Sequence, residues 1–335
     1  MLSFIIPAYK SAYTLKKCLD GITAQKGLSS GAYEIIVIVC RANRKEVNIL
    51  EEYQNFKEIK VLHTKKKNRS LSRNLGAKIA SGEFLAFVDS DVQLDSYWFT
   101  NSINIFQNKL VAASQGSFRM DSRCNFYDKT YGFLPSIPQC VSSAFGPVIV
   151  TGACIYRKSI FFSLGMFDEK VLWNEDLNLS VTAFYKGFAL SYEASSKAVL
   201  LHKKLPPFDR VKRSFTAGFY LCCLQRYKFS KMNANKTVFW LMNRAYHTFM
   251  LSLSSKQNKP DHLFAAANDL VKLSGFVFAF VTQRHKHTFS FPQSFTPYLG
   301  FNDSFRKSNN HFGLIYVNKE RHLFDVKNSK MICLK

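Results

Sequence analysis

Short apolar runs alternate with amphipathic stretches along the first ninety residues of the chain. Apolar residues that recur three or four positions apart, such as Leu15, Leu19 and Ile22, predict helices that pack one face against the strands. Such alternation is typical of a mainly parallel sheet flanked by helices, an α/β fold. The strands are predicted in runs rich in β-branched and aromatic residues: Leu2–Ile6, Glu34–Val39, Ile59–Leu62 and Phe84–Val88.

The pattern continues less regularly to about residue 205. A helix is predicted over Ser96–Phe106 and a strand over Leu110–Ala113. Residues 115–146 are rich in Gly, Ser, Pro and aromatic residues, and we expect a long functional loop there. Order resumes at Pro147–Tyr156. One further helix and two strands are predicted: Glu175–Tyr185, Phe188–Tyr192 and Ala198–Leu201.

The chain changes character after Pro206 and Pro207. Of the net charge of +23, residues 203–335 hold +16, from 22 basic and 6 acidic residues. We therefore divide the chain into residues 1–205 and a basic, aromatic C-terminal extension, residues 206–335, which is predicted to be mostly helical. The excess charge indicates an anionic membrane surface or nucleic acid as a partner, or only a general basic bias of the proteome.

The segment Leu263–Val281 comes nearest to a membrane element. Asp269 and Lys272 in its middle disfavour a bilayer span, so we expect either an amphipathic helix at a membrane interface or an ordinary core helix. The eight cysteines form no C-x-x-C pair, and the short apolar run after Met1 is not a signal peptide. We expect a cytoplasmic protein without structural zinc, peripheral on the cytoplasmic face of a membrane if the extension binds lipid.

Two carboxylates one residue apart follow the predicted strand Phe84–Val88, in Asp89-Ser90-Asp91. An Asp-x-Asp turn at the carboxyl end of a strand can hold a divalent cation against a diphosphate, because hard cations prefer oxygen ligands. The same three residues also suit a solvated turn. Neighbouring motifs decide between these two interpretations.

Four motifs occur in a recognisable order along the chain. They are Pro7-Ala8-Tyr9 after the first strand, Arg73-Asn74 in a helix, Asp89-Ser90-Asp91, and Trp173-Asn174-Glu175-Asp176. Together they resemble the family 2 glycosyltransferases, over roughly residues 1–205. The resemblance implies the GT-A fold, a Rossmann-like mixed and mainly parallel sheet flanked by helices, with residues 1–205 as the catalytic domain.

The resemblance also implies roles for individual residues. Asp176 is the expected catalytic base, and Asp91 is the expected ligand of Mg²⁺ or Mn²⁺, with Asp89 and His202 as further candidates. Donor nucleotide binding is expected from Pro7, Ala8, Tyr9, Arg73, Asp89 and Ser90. The pocket for the donor sugar or acceptor is expected from Gly152, Ala153, Trp173 and Glu175.

One departure from the family pattern concerns the nucleotide base. Relatives place an acid after the second strand, whereas this chain reads Val39-Cys40-Arg41-Ala42-Asn43. Three explanations remain open: a nucleotide other than a uridine one, base contacts from Asn43 or the backbone, or weakened activity.

The resulting hypothesis is a metal-dependent, inverting, hexosyltransferase-like enzyme that uses a nucleoside-diphosphate sugar and a glycan or lipid-linked acceptor. One alternative is a catalytically lapsed GT-A domain that acts as a binding or scaffold module. The other is a nucleic-acid-binding protein, which the basic extension suggests but which no zinc-finger spacing or RNA-reading motif supports.

Overall fold

The computed structural model describes residues 1–120 and 147–201, most of 312–333, and isolated helical residues between 215 and 277. Six α-helices and eleven strands are defined within these ranges. The helices are α1 Leu15–Thr23, α2 Arg44–Glu51, α3 Arg69–Ile79, α4 Trp98–Ile103, α5 Lys158–Ser163 and α6 Glu175–Tyr185. The strands are β1 Leu2–Ala8, β2 Tyr33–Cys40, β3 Ile59–Thr64, β4 Phe84–Val88, β5 Val92–Leu94, β6 Val111–Met120, β7 Ala153–Arg157, β8 Ala189–Leu200, β9 Phe312–Val317, β10 Glu320–Asp325 and β11 Lys330–Cys333.

All eleven strands belong to one mixed sheet. Its order is β11-β10-β9-β8-β6-β7-β4-β1-β2-β3, and β5 pairs with β8 outside this path. The pairs among β1, β2, β3 and β4 are parallel, whereas β7 runs antiparallel to both β4 and β6. The expected α/β fold with a mixed sheet flanked by helices is confirmed. Among the described strands, five pairs are parallel and five are antiparallel, so the parallel part is confined to half of the pairs.

The core lies on both faces of this sheet. Along β2, the five residues from Ile35 to Val39 have no exposed surface. Alternate residues enter different clusters: Ile35 and Val37 pack with α1, while Ile36 and Ile38 pack with Ala77 of α3. A strand covered on both faces must be apolar throughout, which explains why β2 reads as a continuous hydrophobic run.

Three parts of the chain differ from the sequence-based expectation. Strand β6 continues to Met120, so the long loop predicted from residue 115 does not begin there. Strand β8 is one strand of twelve residues where two were predicted, and the predicted helix Ser96–Phe106 consists of α4 and a short 3-10 helix, Asn104–Gln107. Pairing between β6 and β8 accounts for the two extensions, since their contacts run from Val111 to Met120 and include register shifts.

Strands β9 to β11 were not predicted, because the C-terminal extension was expected to be mostly helical. Strand β9 pairs with β8 in parallel, so residues 312–317 join the same sheet as the N-terminal part. The boundary at residue 205 stays a prediction, and most of the predicted C-terminal helices lie outside the described residues. Within the described part of the chain, no helix is long and apolar enough to cross a bilayer.

Helix α3 lies directly on the sheet. The Asn68 side chain accepts a hydrogen bond from Leu71 N at 3.0 Å and caps the helix. At Gly76, an added Cβ would lie 2.5 Å from Ile5 Cγ2 and 2.9 Å from Ile38 Cδ1. The absence of a side chain at Gly76 therefore sets how closely α3 approaches β1 and β2.

We predict that Gly76→Ala destabilises the fold by about 1–3 kcal/mol, because the added methyl group must displace β-branched core residues. Chemical denaturation would measure this loss. The control is Lys78→Ala on the same helix, which removes an exposed side chain and should change stability by less than about 0.5 kcal/mol. Equal stability of both variants would contradict the proposed close contact.

Candidate active site

A buried arginine connects two carboxylates that are far apart in the sequence. Arg73 Nη2 donates to Asp89 Oδ1 at 2.7 Å, and Arg73 Nη1 donates to Glu175 Oε1 at 2.8 Å. The Arg73 side chain is only 1% exposed, and that of Glu175 is 6% exposed. Arg73 thereby joins the end of β4 to the start of α6.

The electrostatic balance of this bridge favours a charged arginine. Burial alone lowers the pKa of Arg73, but the Asp89 and Glu175 carboxylates outweigh it and the net shift is upward. The guanidinium also lies over the Phe167 ring, 5.6 Å from its centroid. A planar fork with several donors suits this bridging position, which a lysine ammonium could not fill in the same way.

The Asp89-Ser90-Asp91 turn is held by backbone hydrogen bonds on both sides. Asp89 N donates to Gly152 O at 2.9 Å, and Leu201 N donates to Asp91 O at 2.7 Å. Ser90 is buried, whereas Asp89 and Asp91 are partly exposed. His202 lies outside the described residues, but the residue before it is bonded to the backbone of Asp91.

The chemistry of this turn fits a divalent cation. Both carboxylates offer hard oxygen ligands at a partly exposed position, where further oxygens could come from a substrate or water. Their charges also act on Cys18: burial raises the pKa of its thiol, and Asp91 and then Asp89 raise it further. Within the described ranges, no group of three or more His, Cys, Asp or Glu side chains is arranged to hold a metal by itself.

Small residues line the turn opposite the carboxylates. A Cβ at Gly152 would lie 3.2 Å from the Phe118 ring and 3.9 Å from Asp89 Oδ2. The next residue, Ala153, is buried and pairs with Val88 at the start of β7. The predicted small-residue turn thus lies beside Asp89, although its contact with a sugar or acceptor stays a prediction.

The start of α6 places two acidic residues in different surroundings. Asn174 precedes the helix with a φ of 64°, a left-handed conformation that Asn tolerates better than most residues. Glu175 is buried against Arg73, while Asp176 is half-buried and accepts a hydrogen bond from Leu177 N at 2.8 Å. Burial, followed by the charge of Glu175, raises the pKa of Asp176 to about 6.

Two aromatic residues near the site carry cations over their rings. Lys67 Nζ lies 4.4 Å from the centroid of Tyr9, and Lys10 Nζ lies 5.6 Å from the same centroid. Arg69 lies 5.3 Å from the centroid of Trp173. Pro7 and Ala8 are the last residues of β1, next to Tyr9. Their predicted contacts with a nucleotide stay predictions.

The segment after β2 lacks the acid that the family resemblance leads us to expect, and the structure shows what its residues contact. Arg41 is exposed, and its Nε donates to Lys65 O at 3.1 Å. Asn43, one of the residues considered for base contacts, accepts from Glu46 N at 3.0 Å as the N-cap of α2. The nearby Glu46 carboxylate is buried and accepts from Ser11 N and from Asn43 N.

Several contacts that hold the site together could not be deduced from the sequence. Arg73 was predicted to bind the donor nucleotide, and that contact stays a prediction; its observed partners are Asp89 and Glu175. Asn74 was given no role, but its Nδ2 donates to Phe167 O at 2.8 Å and its Oδ1 accepts from Phe167 N at 3.1 Å. One signal in the sequence could have indicated the structural role of Arg73: a charged residue lies on the core-facing side of a predicted helix.

The fold is that of GT-A enzymes. A mannosyltransferase from Pyrobaculum calidifontis, PcManGT, solved in complex with GDP-Man and Mn²⁺, superposes with a TM-score of 0.54 at 13% identity, covering 84% of this chain and 74% of that one. Residues 3–163 match the family described as glycosyl transferase family 2. This match covers 161 of the 335 residues and supports a glycosyltransferase of this family.

Curated relatives are similar over parts of their length. Glycosyltransferase AglE of Haloferax volcanii is 21% identical over 65% of this chain and 71% of its own. TarP of Staphylococcus aureus, a poly(ribitol-phosphate) β-N-acetylglucosaminyltransferase, is 28% identical over 58% of each chain. The uncharacterized glycosyltransferase YibD of Escherichia coli is 33% identical over 27% of this chain, which spans 26% of YibD.

We predict that Arg73→Met destabilises the fold by about 3–5 kcal/mol, because two buried or partly buried carboxylates would lose their shared counter-charge. Denaturant unfolding would measure the loss. Arg73→Lys keeps the charge but not the fork, so its stability should fall between those of the Met variant and the wild type. A Met variant as stable as the wild type would show that the bridge contributes no net stability.

Proposed function

We propose that the chain is a metal-dependent, inverting glycosyltransferase that moves a hexose from a nucleoside-diphosphate sugar to an acceptor hydroxyl. The observation that carries this proposal is the Arg73 bridge, which holds Asp89 of the Asp-x-Asp turn and Glu175, the neighbour of Asp176, in one site. Direct displacement at an anomeric carbon requires the leaving diphosphate and the base to be held in a fixed relation.

The donor side of the site is proposed to centre on Asp91. Asp91 would ligate Mg²⁺ or Mn²⁺, with Asp89 and His202 as further candidate ligands, and Pro7, Ala8, Tyr9 and Ser90 would line the nucleotide. A bound divalent cation would supply charge stabilisation for the departing nucleoside diphosphate. The Mn²⁺ and GDP-Man in the PcManGT complex are in keeping with this assignment.

Arg73 is proposed to position the site rather than to bind the donor. Both of its terminal nitrogens are engaged with carboxylates, and its side chain is buried. By donating a hydrogen bond to Asp89 Oδ1, Arg73 would orient this carboxylate. Asp91 remains the proposed direct ligand of the metal ion. The same contact sets where α6 begins, and therefore where Asp176 lies.

Asp176 is proposed as the general base. Its pKa of about 6 keeps the carboxylate ionised near neutral pH and still basic enough to accept the acceptor hydroxyl's proton. The hydroxyl oxygen would then form a bond to the anomeric carbon as the bond to the diphosphate oxygen breaks. A single displacement of this kind inverts the anomeric configuration. Trp173, Gly152 and Ala153 would shape the adjacent pocket for the sugar or acceptor.

The acceptor is proposed to be a glycan or a lipid-linked glycan. Relatives include a Salmonella typhimurium O-antigen chain rhamnosyltransferase, 24% identical over 66% of this chain, besides the poly(ribitol-phosphate) enzyme TarP. A cytoplasmic location, peripheral at an anionic membrane surface, remains part of the proposal. The excess of basic residues in residues 203–335 supports it.

We expect the pH profile of kcat/KM to show an acid limb near pH 6. Activity should rise as pH increases through this value, because Asp176 must lose its proton before it can act as a base. Initial rates with saturating Mn²⁺ would give the profile. Asp176→Asn should lose transfer, whereas Glu83→Gln, at an exposed carboxylate, should keep the limb. An unchanged profile in Asp176→Asn would exclude the base assignment.

We expect Asp91→Ala to reduce sugar transfer by at least about a hundredfold, because the charge on the leaving diphosphate would be poorly stabilised. A panel of nucleotide sugars with Mg²⁺ or Mn²⁺, with released nucleoside diphosphate as the readout, would test this. Asp95→Asn is the matched control, since Asp95 is exposed and lies four residues further along. Chelation of the metal should abolish wild-type turnover.

Two results would count against the proposed function. Full turnover by Asp91→Ala would refute the assignment of the metal and diphosphate site. Failure of every donor to bind or react would favour a binding module that has lost catalysis, which the missing acid after β2 also suggests.

A further inference from the structure

Segment 148–152 links the two acidic parts of the proposed site and forms neither a helix nor a strand. At one end, Gly152 O accepts a hydrogen bond from Asp89 N at 2.9 Å. Ile149, near the other end, has no exposed surface. Backbone groups of a buried segment cannot stay unpaired, and here they lack the regular hydrogen bonds of a helix or a sheet. Other groups must therefore satisfy them.

Three buried side chains, each from a different element, hold successive residues of this segment. The contacts are Tyr192 Oη to Val148 O at 3.0 Å, Ile149 N to Ser180 Oγ at 2.9 Å, and Val150 N to Gln115 Oε1 at 2.5 Å. None of the three residues is more than 1% exposed. We define the polar clamp as these three residues: Gln115 of β6, Ser180 of α6 and Tyr192 of β8.

Ser180 connects the segment to the proposed base itself. Its Oγ donates to Asp176 O at 2.7 Å while it accepts from Ile149 N. A helical serine can bond to the carbonyl four residues earlier without any effect beyond its own helix. Here the same oxygen also holds a segment from outside the helix. One hydroxyl group thus joins the backbone of Asp176 to that of Ile149.

The clamp completes a second connection between the Asp-x-Asp turn and the start of α6. The first connection is the ion-pair bridge made by Arg73. The second begins at Asp89 N, which donates to Gly152 O. It continues along the segment to Ser180 and ends at Asp176 O. Because the second connection consists of neutral groups, it holds the two parts of the site together independently of charge.

We propose that the residues of the polar clamp are positioning residues for sugar transfer, and that Ser180 is the member that fixes Asp176. This inference rests on the proposed function. The clamp would hold the Asp176 carboxylate in a constant relation to a sugar bound beside Gly152. The acceptor hydroxyl, the anomeric carbon and the departing diphosphate would then stay aligned, as a single displacement requires.

The surroundings of Asp176 give the clamp a measurable signature. Burial does most to raise the pKa of this carboxyl, followed by the charge of Glu175, whereas Leu177 N, Arg73 and Arg69 lower it. If the clamp is loosened, water reaches the start of α6 and the effect of burial falls. The pKa of Asp176 should then decrease from about 6 toward the ordinary range of an aspartate.

The first test compares the full-length wild type with Ser180→Ala and Tyr192→Phe, each of which removes one oxygen atom. NMR of protein labelled with ¹³C at the aspartate carboxyls follows the titration of Asp176, and Asp176→Asn assigns its signal. We expect Ser180→Ala to lower the pKa of Asp176 by at least about 0.5, and Tyr192→Phe to lower it less. The matched control Ser102→Ala loses a buried hydrogen bond to Ser196 Oγ, between α4 and β8, and should leave this pKa unchanged.

The second test measures turnover of the donor that reacts in the nucleotide-sugar panel with Mn²⁺. The kcat for release of nucleoside diphosphate should fall at least about tenfold in Ser180→Ala, because the base is misplaced. The donor KM and the affinity for nucleoside diphosphate should change by less than about twofold, since no donor-binding residue is altered. A loss of stability alone would affect Ser102→Ala in the same way as Ser180→Ala.

Several outcomes would overturn the proposal. These are an unchanged pKa of Asp176 in Ser180→Ala, full turnover by that variant, equal losses in Ser102→Ala, or a loss confined to the donor KM. If no donor reacts with the wild type, the proposed function fails, but the titration still decides whether the clamp fixes Asp176. A lowered pKa in Ser180→Ala would then support the clamp, and an unchanged pKa would reject it.

Discussion

The contact on which the rest of the site depends is the two-sided ion pair of Arg73. Its guanidinium lies in the core, where an isolated charge would be strongly unfavourable, and only the paired carboxylates of Asp89 and Glu175 make this position tolerable. The same pairing is a constraint on geometry. Helix α3, the turn after β4 and the start of α6 cannot shift independently without leaving a charge buried and unpaired, so the relation between the two acidic parts of the site is set by one side chain.

The sheet provides the second constraint. Parallel strands β1 to β4 bring their carboxyl ends to one edge, and the close contact of Gly76 with β1 and β2 keeps α3 against the sheet. Gly152, which directly precedes antiparallel strand β7, accepts a hydrogen bond from the backbone N–H of Asp89. Exposed cations after β1 to β3 and the carboxylates after β4 therefore lie at the same edge, which suits an anionic donor bound together with a divalent cation.

Elements specified by residues close together in the sequence were predicted, whereas elements that depend on pairing with distant residues were not. Helix α6 was predicted with its observed limits, and β4 likewise, because local apolar periodicity and an acidic first turn specify them. The extension of β6 to Met120, the continuity of β8 and the addition of β9 to β11 were missed, because they arise from pairing between distant strands. For the site, the motifs identified Asp89, Asp91 and Asp176, but the motif role given to Arg73 did not anticipate its carboxylate partners.

The sequence by itself determined the α/β alternation, the family model that residues 3–163 match, and the residue types available for catalysis. These are properties of local spacing and composition, which a linear reading can recover. Only the tertiary structure decided that Arg73 is buried between carboxylates 16 and 102 residues away. Burial and long-range pairing depend on how the whole chain packs, and the pKa of Asp176 follows from that packing rather than from its neighbours in sequence alone.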